Sequence, residues 1–160
     1  MQTFRDNAGR TWTVSVDVAA IKRVRALAGF DLLSVIDGKG IDRLVLDPVL
    51  LCDVLCAACR PEAERLGVSD EDFGRAMAGD AIEHATRALM EELVSFCPNP
   101  RDRKRMQKLV TTLWTTMEKA RDVVESRIES DLQSAMNRSL AALGGSAGSL
   151  PGSSASIPMG

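Results

Sequence analysis

The segment that most restricts how this chain can fold runs from about Pro100 to Leu143, where the residue pattern predicts one long helix. Met106, Val110, Leu113, Met117, Ala120 and Val124 step by alternating fours and threes, the spacing of a coiled-coil seam. Beyond Val124 the spacing drifts through Ile128, Leu132 and Met136. A chain of 160 residues holds one modest globular body besides such a helix. That body is too small to cover the helix on every side, so part of the helix is expected to project or to pair with another chain.

The body is predicted over residues 1–99, the long helix over 100–143, and a Gly/Ser-rich tail, expected to be disordered, over 144–160. The expected fold class is mainly α with a small N-terminal β-hairpin, an α+β helical body. Thr3-Phe4-Arg5 leads into a turn-forming Asp6-Asn7-Ala8-Gly9 and then into Trp12, Val14 and Val16, which alternate with Thr and Ser as in a half-buried strand. A lone hairpin is marginal in water, so this one must lie on helices. Asp17 reads as the N-cap of a helix from Val18 to about Ala28, with Ile21, Val24, Leu27 and Ala28 on one side and Gly29 ending it. Phe30 to Leu46 reads equally as strand or helix. Asp47-Pro48 opens a helix that stops near Arg60-Pro61, and Pro61 to Gly67 adds a further short turn of helix. Ser69 and Asp72 have capping-box spacing for a short helix through Met77, and Asp80 caps another carrying Ile82, Ala85, Leu89, Leu93 and Phe96.

Composition narrows the function classes. Formal net charge is −2, which argues against a polyanion binder as a whole. No run approaches the roughly 18 apolar residues of a membrane helix. The residues from Met1 to Asp6 have no signal-peptide pattern, so the expected setting is intracellular and the thiols reduced. Cys52, Cys56 and Cys59 fall at i, i+4 and i+7 among Leu51, Val54 and Leu55, which suits small core residues better than a zinc site. His84 is the single histidine, and no metalloprotease, nucleophile-elbow or phosphate-loop motif is present. The expectation is a protein that is not an enzyme and carries no cofactor or metal.

Three features remain as partner-binding candidates. Arg101, Arg103, Lys104, Arg105 and Lys108 form a basic cluster where the helix macrodipole disfavours it, offset in part by Asp102. A solvated face, an acidic protein partner and nucleic acid are its three readings, and the absence of interleaved aromatics counts against the last. Trp114, beside Leu113 and Met117, is either packed on the body or an interface anchor. The candidate contact set is therefore Arg101, Arg103, Arg105, Met106, Lys108, Val110, Leu113, Trp114 and Met117. A helix-turn-helix over Ala63 to Met77 is opposed by Asp70, Glu71 and Asp72, which would repel phosphates.

Asp47-Pro48-Val49-Leu50-Leu51, Gly67 to Gly74, Gly79-Asp80-Ala81-Ile82 and Glu91 to Pro98 together form a succession that resembles the small tail assembly chaperones of long-tailed bacteriophages and prophages. The resemblance covers about Gln2 to Arg105, and the chain departs from a minimal chaperone in its long basic-headed final helix. It implies a homo-oligomeric protein of the host cytoplasm that coats the tape measure protein during tail assembly and is absent from the mature virion. It also implies a longer, frameshifted form sharing the N-terminal domain. Tolerant binding suits flexible Met77, Met90, Met106, Met117 and Met136, with Met77 and Met90 expected in the core. The alternatives are a DNA-associated phage protein using residues 101–108 and a structural connector retained in the virion.

Overall fold

A computed structural model describes residues 1–145, 152 and 156–160, so the greater part of the expected disordered tail lies outside the described residues. The chain forms two compact units, Met1–Leu113 and Trp114–Gly160. The first opens with an antiparallel hairpin, β1 (Gln2–Arg5) and β2 (Thr11–Val14), in which Phe4 faces Trp12 and Thr3 faces Thr13. Helices α1 (Val18–Ala28), α2 (Leu32–Ile36), α3 (Ile41–Leu46), α4 (Pro48–Ala58), α5 (Arg60–Leu66), α6 (Asp70–Ala76) and α7 (Asp80–Phe96) follow. The last helix, α8, is Pro100–Gly144. The mainly helical α+β class is as expected.

Local chemistry explains most boundaries. Asp17 accepts from the Ala20 N–H at 2.7 Å and starts α1, which Gly29 ends at φ 61, a left-handed conformation that glycine adopts without strain. Asp47 accepts from the Val49 and Leu50 N–H groups and Pro48 occupies the first turn of α4. Ser69 Oγ accepts from the Asp72 N–H at 3.1 Å and donates to the Asp72 carboxylate at 2.9 Å, a variant of the expected box. Phe30 to Leu46, readable either way, contains α2 and α3. Asp80 is the first residue of α7 and not its cap, because Gly79 holds the cap position at φ 56 with no side-chain bond. Leu27, expected on the buried face of α1, is 58 % exposed. Ala20, Ile21 and Val24 define the arc that packs on α4, and Leu27 stands at its edge.

The hairpin is fastened by one carboxylate. Asp6 is buried and accepts from Trp12 Nε1 at 2.8 Å, from the Arg10 N–H at 2.9 Å and from Arg10 Nε at 2.7 Å. Trp12 is fully buried and meets the edge of Phe73 on α6, ring centroids 4.9 Å apart. The Asn7 N–H donates to Ala76 O, Asn7 Nδ2 to Ala78 O and Arg10 to Asp72 O, so the turn is bonded to both ends of α6. On the other side β1 packs along α7, whose buried Glu92 accepts from the Val16 N–H and forms an ion pair with the Met1 ammonium at 2.6 Å. The outer edge of β2 is occupied as well: the Thr13 N–H donates to Glu62 at 2.8 Å, and Cys59 Sγ donates to Thr13 O.

Burial pushes the Asp6 carboxyl up, but the bonds from Trp12 and Arg10 and the guanidinium charge outweigh it and hold it below its ordinary 3.8. A depressed carboxyl stabilises the fold above its unfolded pKa and loses that contribution as pH falls through its folded value. Asp6→Ala is expected to cost about 3–5 kcal/mol in denaturant unfolding, because Arg10 and Trp12 lose their shared acceptor. Asp6→Asn should flatten the loss of stability below about pH 4.

Candidate functional site

Pro98-Asn99-Pro100 breaks the chain, and Asn99 Oδ1 then accepts from the Arg101 N–H at 2.9 Å to start α8. The first turns of this helix belong to the body. Met106 is fully buried and Val110 is 7 % exposed, with Leu109 and Leu113 half-buried. The compact unit therefore extends past residue 99 to Leu113. Of the sequence-derived contact set, Met106 and Val110 are core residues and offer no surface to a partner while this packing holds.

The basic cluster divides by function. Arg103 donates from Nε and a terminal nitrogen to Cys97 O, at 3.2 and 2.9 Å, and Arg105 donates to Ile36 O at 3.2 Å. These carbonyls lie at the C-terminal ends of α7 and α2, where cations are favoured. Two charges that oppose the dipole of their own helix thus serve those of its neighbours. Arg101, Lys104 and Lys108 are exposed and share one face at i, i+3 and i+7, opposite Met106. Two of the five cations thus hold the ends of neighbouring helices.

In the second unit Trp114 and Met117 are half-buried. Val124, Ile128, Leu132, Met136, Leu140 and Leu143 follow along the helix, with exposures from 54 % at Ile128 to 76 % at Leu143. By helical spacing Met117, Val124 and Ile128 continue the face that Met106 and Val110 bury lower in the same helix. Met117, Ala120, Val124 and Ile128 line a shallow apolar strip with Arg121, Glu125 and Glu129 along one side. Leu132, Met136 and Leu140 follow at four-residue steps, each turned about 40° further round the helix, so the run winds away from this strip. Among the described residues this is the longest exposed run of large apolar side chains.

The cysteine thiols are all raised by their surroundings. Burial and the neighbouring Asp70 carboxylate, to which Cys56 Sγ donates at 3.6 Å, push that thiol up to about 12. Burial and Glu62 push Cys59 to about 12 as well. Cys52 and Cys97 are also raised, first by burial and then by Asp53 and Asp102. Among the described residues no group of three or more His, Cys, Asp or Glu is placed to hold a metal ion. His84 is exposed on α7, and among the described residues no helix is long and apolar enough to cross a membrane. No family model matches the chain, and no curated protein or solved structure is significantly similar to it.

Thiols at about 12 against the usual 9.0 carry roughly a thousandfold less thiolate near neutral pH. Alkylation of the native protein at pH 8, read by mass spectrometry, should therefore spare Cys56 and Cys59 by about two orders of magnitude relative to the unfolded chain. The two stretches of α8 should also respond differently to truncation. Met106→Ala is expected to cost about 2–5 kcal/mol in thermal unfolding. Ile128→Ala, assayed dilute, should stay within about 0.5 kcal/mol of the parent.

Proposed function

We propose that this protein is a tail assembly chaperone of a long-tailed phage or prophage, and that it binds the tape measure protein while a tail is built. The observation that carries the reading is the exposed apolar stripe from Val124 to Leu143. A soluble chain rarely leaves a contiguous apolar surface open without a partner for it. A stripe on a helix is suited to another amphipathic helix, read at three- and four-residue intervals. An elongated helical client needs such contacts many times over and weakly, in place of one deep pocket. Val, Ile, Leu and Met side chains without an obligatory polar partner provide that tolerance. On this reading the protein works in the host cytoplasm, leaves before the virion matures, and shares its N-terminal domain with a longer frameshifted form.

The DNA-associated reading is weakened by the clamp role of Arg103 and Arg105, which leaves three exposed cations on that face of the helix. Affinity capture of a C-terminally tagged chain from phage-producing cells, with nuclease present, should recover a very long helical phage protein. Ile128→Glu with Leu132→Glu should reduce that recovery at least about tenfold without lowering the melting temperature of the body. Recovery of host DNA-binding proteins alone, or stoichiometric presence of the chain in purified virions, overturns the proposal.

A further inference from the structure

The apolar run on α8 changes its step part-way along the helix. From Met106 to Val124 fours and threes alternate and keep to one face. From Val124 the run steps by fours alone, through Ile128, Leu132 and Met136 to Leu140, each more than half exposed. Every such step turns the line by about 40°, so Leu140 stands about 160° round the helix from Val124. A partner helix laid along the axis can follow the first stretch but not the second. Placed over Met117 to Ile128, it leaves Met136 and Leu140 turned away. Placed over Leu132 to Leu140, it also covers Glu125 and Glu129, which lie seven residues before Leu132 and Met136 and so on the same line. Burying those carboxylates under an apolar face is strongly unfavourable.

A row of side chains at i, i+4 and i+8 is itself a packing ridge, inclined about 26° to the helix axis. When such a ridge enters the matching groove of a second helix, the two axes cross at about 50°. Ala135 and Ser139 flank the ridge on one side and are small enough to leave a groove for the incoming row. Glu129, Gln133 and Asn137 flank it on the other. With Glu125 and Asp131 set against Arg127, the surroundings of the ridge are net acidic. Two copies crossing here would bring acidic surroundings together, whereas a helix flanked by Lys or Arg meets its complement.

The geometry points to a basic-flanked amphipathic helix of another protein, apolar at every fourth position, that crosses α8 obliquely over residues 128–140. That this helix belongs to the tape measure protein rests on the chaperone reading above; the crossing does not. An oblique partner is touched over roughly three of its turns, about 16 Å, so successive copies can grip one long helix at close spacing.

The test uses the full chain and two synthetic helical peptides of identical composition, rich in Leu and Lys. One carries Leu at every fourth position and the other at heptad spacing. Fluorescence anisotropy should show the first binding at least about tenfold more tightly. Equal or tighter binding of the heptad peptide overturns the crossing, as does failure of both to bind. Replacing Lys by Glu in the four-step peptide should weaken it at least about tenfold; unchanged affinity overturns the charge selection. A variant of unchanged composition straightens the ridge: Ala135→Met with Met136→Ala, and Ser139→Leu with Leu140→Ser. With its helix content intact by circular dichroism, it should lose the preference for the four-step peptide, and a retained preference overturns the assignment. A dimer in sedimentation velocity that Ile128→Glu with Leu132→Glu abolishes, with neither peptide binding, makes a second copy the occupant and overturns the proposal. If the four-step peptide binds as expected and no phage protein is captured from phage-producing cells, the chaperone reading falls and the crossing stands.

Discussion

The body of this protein depends on one carboxylate accepting three hydrogen bonds in a space nearly closed to water. Asp6 receives the Trp12 indole and two groups of Arg10, all within 2.9 Å. A four-residue pairing of two strands is marginal by itself. Asp6 fixes the indole so that Trp12 can meet Phe73, and the neighbouring Asn7 and Arg10 bond to the carbonyls of α6. An edge-to-face ring pair adds about 1 kcal/mol beyond its burial. The hairpin then lies against α7, whose buried Glu92 accepts from the Val16 N–H. Buried charge costs heavily unless it is matched at close range, and Asp6 meets that condition.

The long helix has two different lives along one face. In its first turns Met106 and Val110 complete the core, and Arg103 and Arg105 bind the carbonyl ends of neighbouring helices. Further on, the same periodicity presents Val124, Ile128 and Leu132 to solvent. An isolated stretch of helix derives little stability from propensity alone, and most helical stability comes from packing.

Much of this organisation was legible in the residues. Caps fixed the starts of α1, α4 and α6, because Asp17, Asp47 and Ser69 act through bonds to N–H groups two or three positions away. The seam from Met106 to Val124 was legible as periodicity, but periodicity does not say what covers a face. That depends on where α2 and α7 end, and Ile36 and Cys97 become anchor points only in three dimensions. Asp6 was readable as a turn residue; its inward rotation onto Trp12 depends on Phe73, far along the chain. Leu27 was misjudged because a helical stripe has edges, and the width of the arc is set by the partner helix. The candidate contact set fell at the junction between core and exposed stripe, since both obey the same spacing.

Glu62 occupies the middle of the outer edge of β2, taking the Thr13 amide that another strand would require, while Cys59 engages the Thr13 carbonyl. Two-stranded sheets with bare edges recruit more strands, and at high local concentration that recruitment runs on into fibrils. Here a single acidic side chain from α5 stands where the third strand would begin.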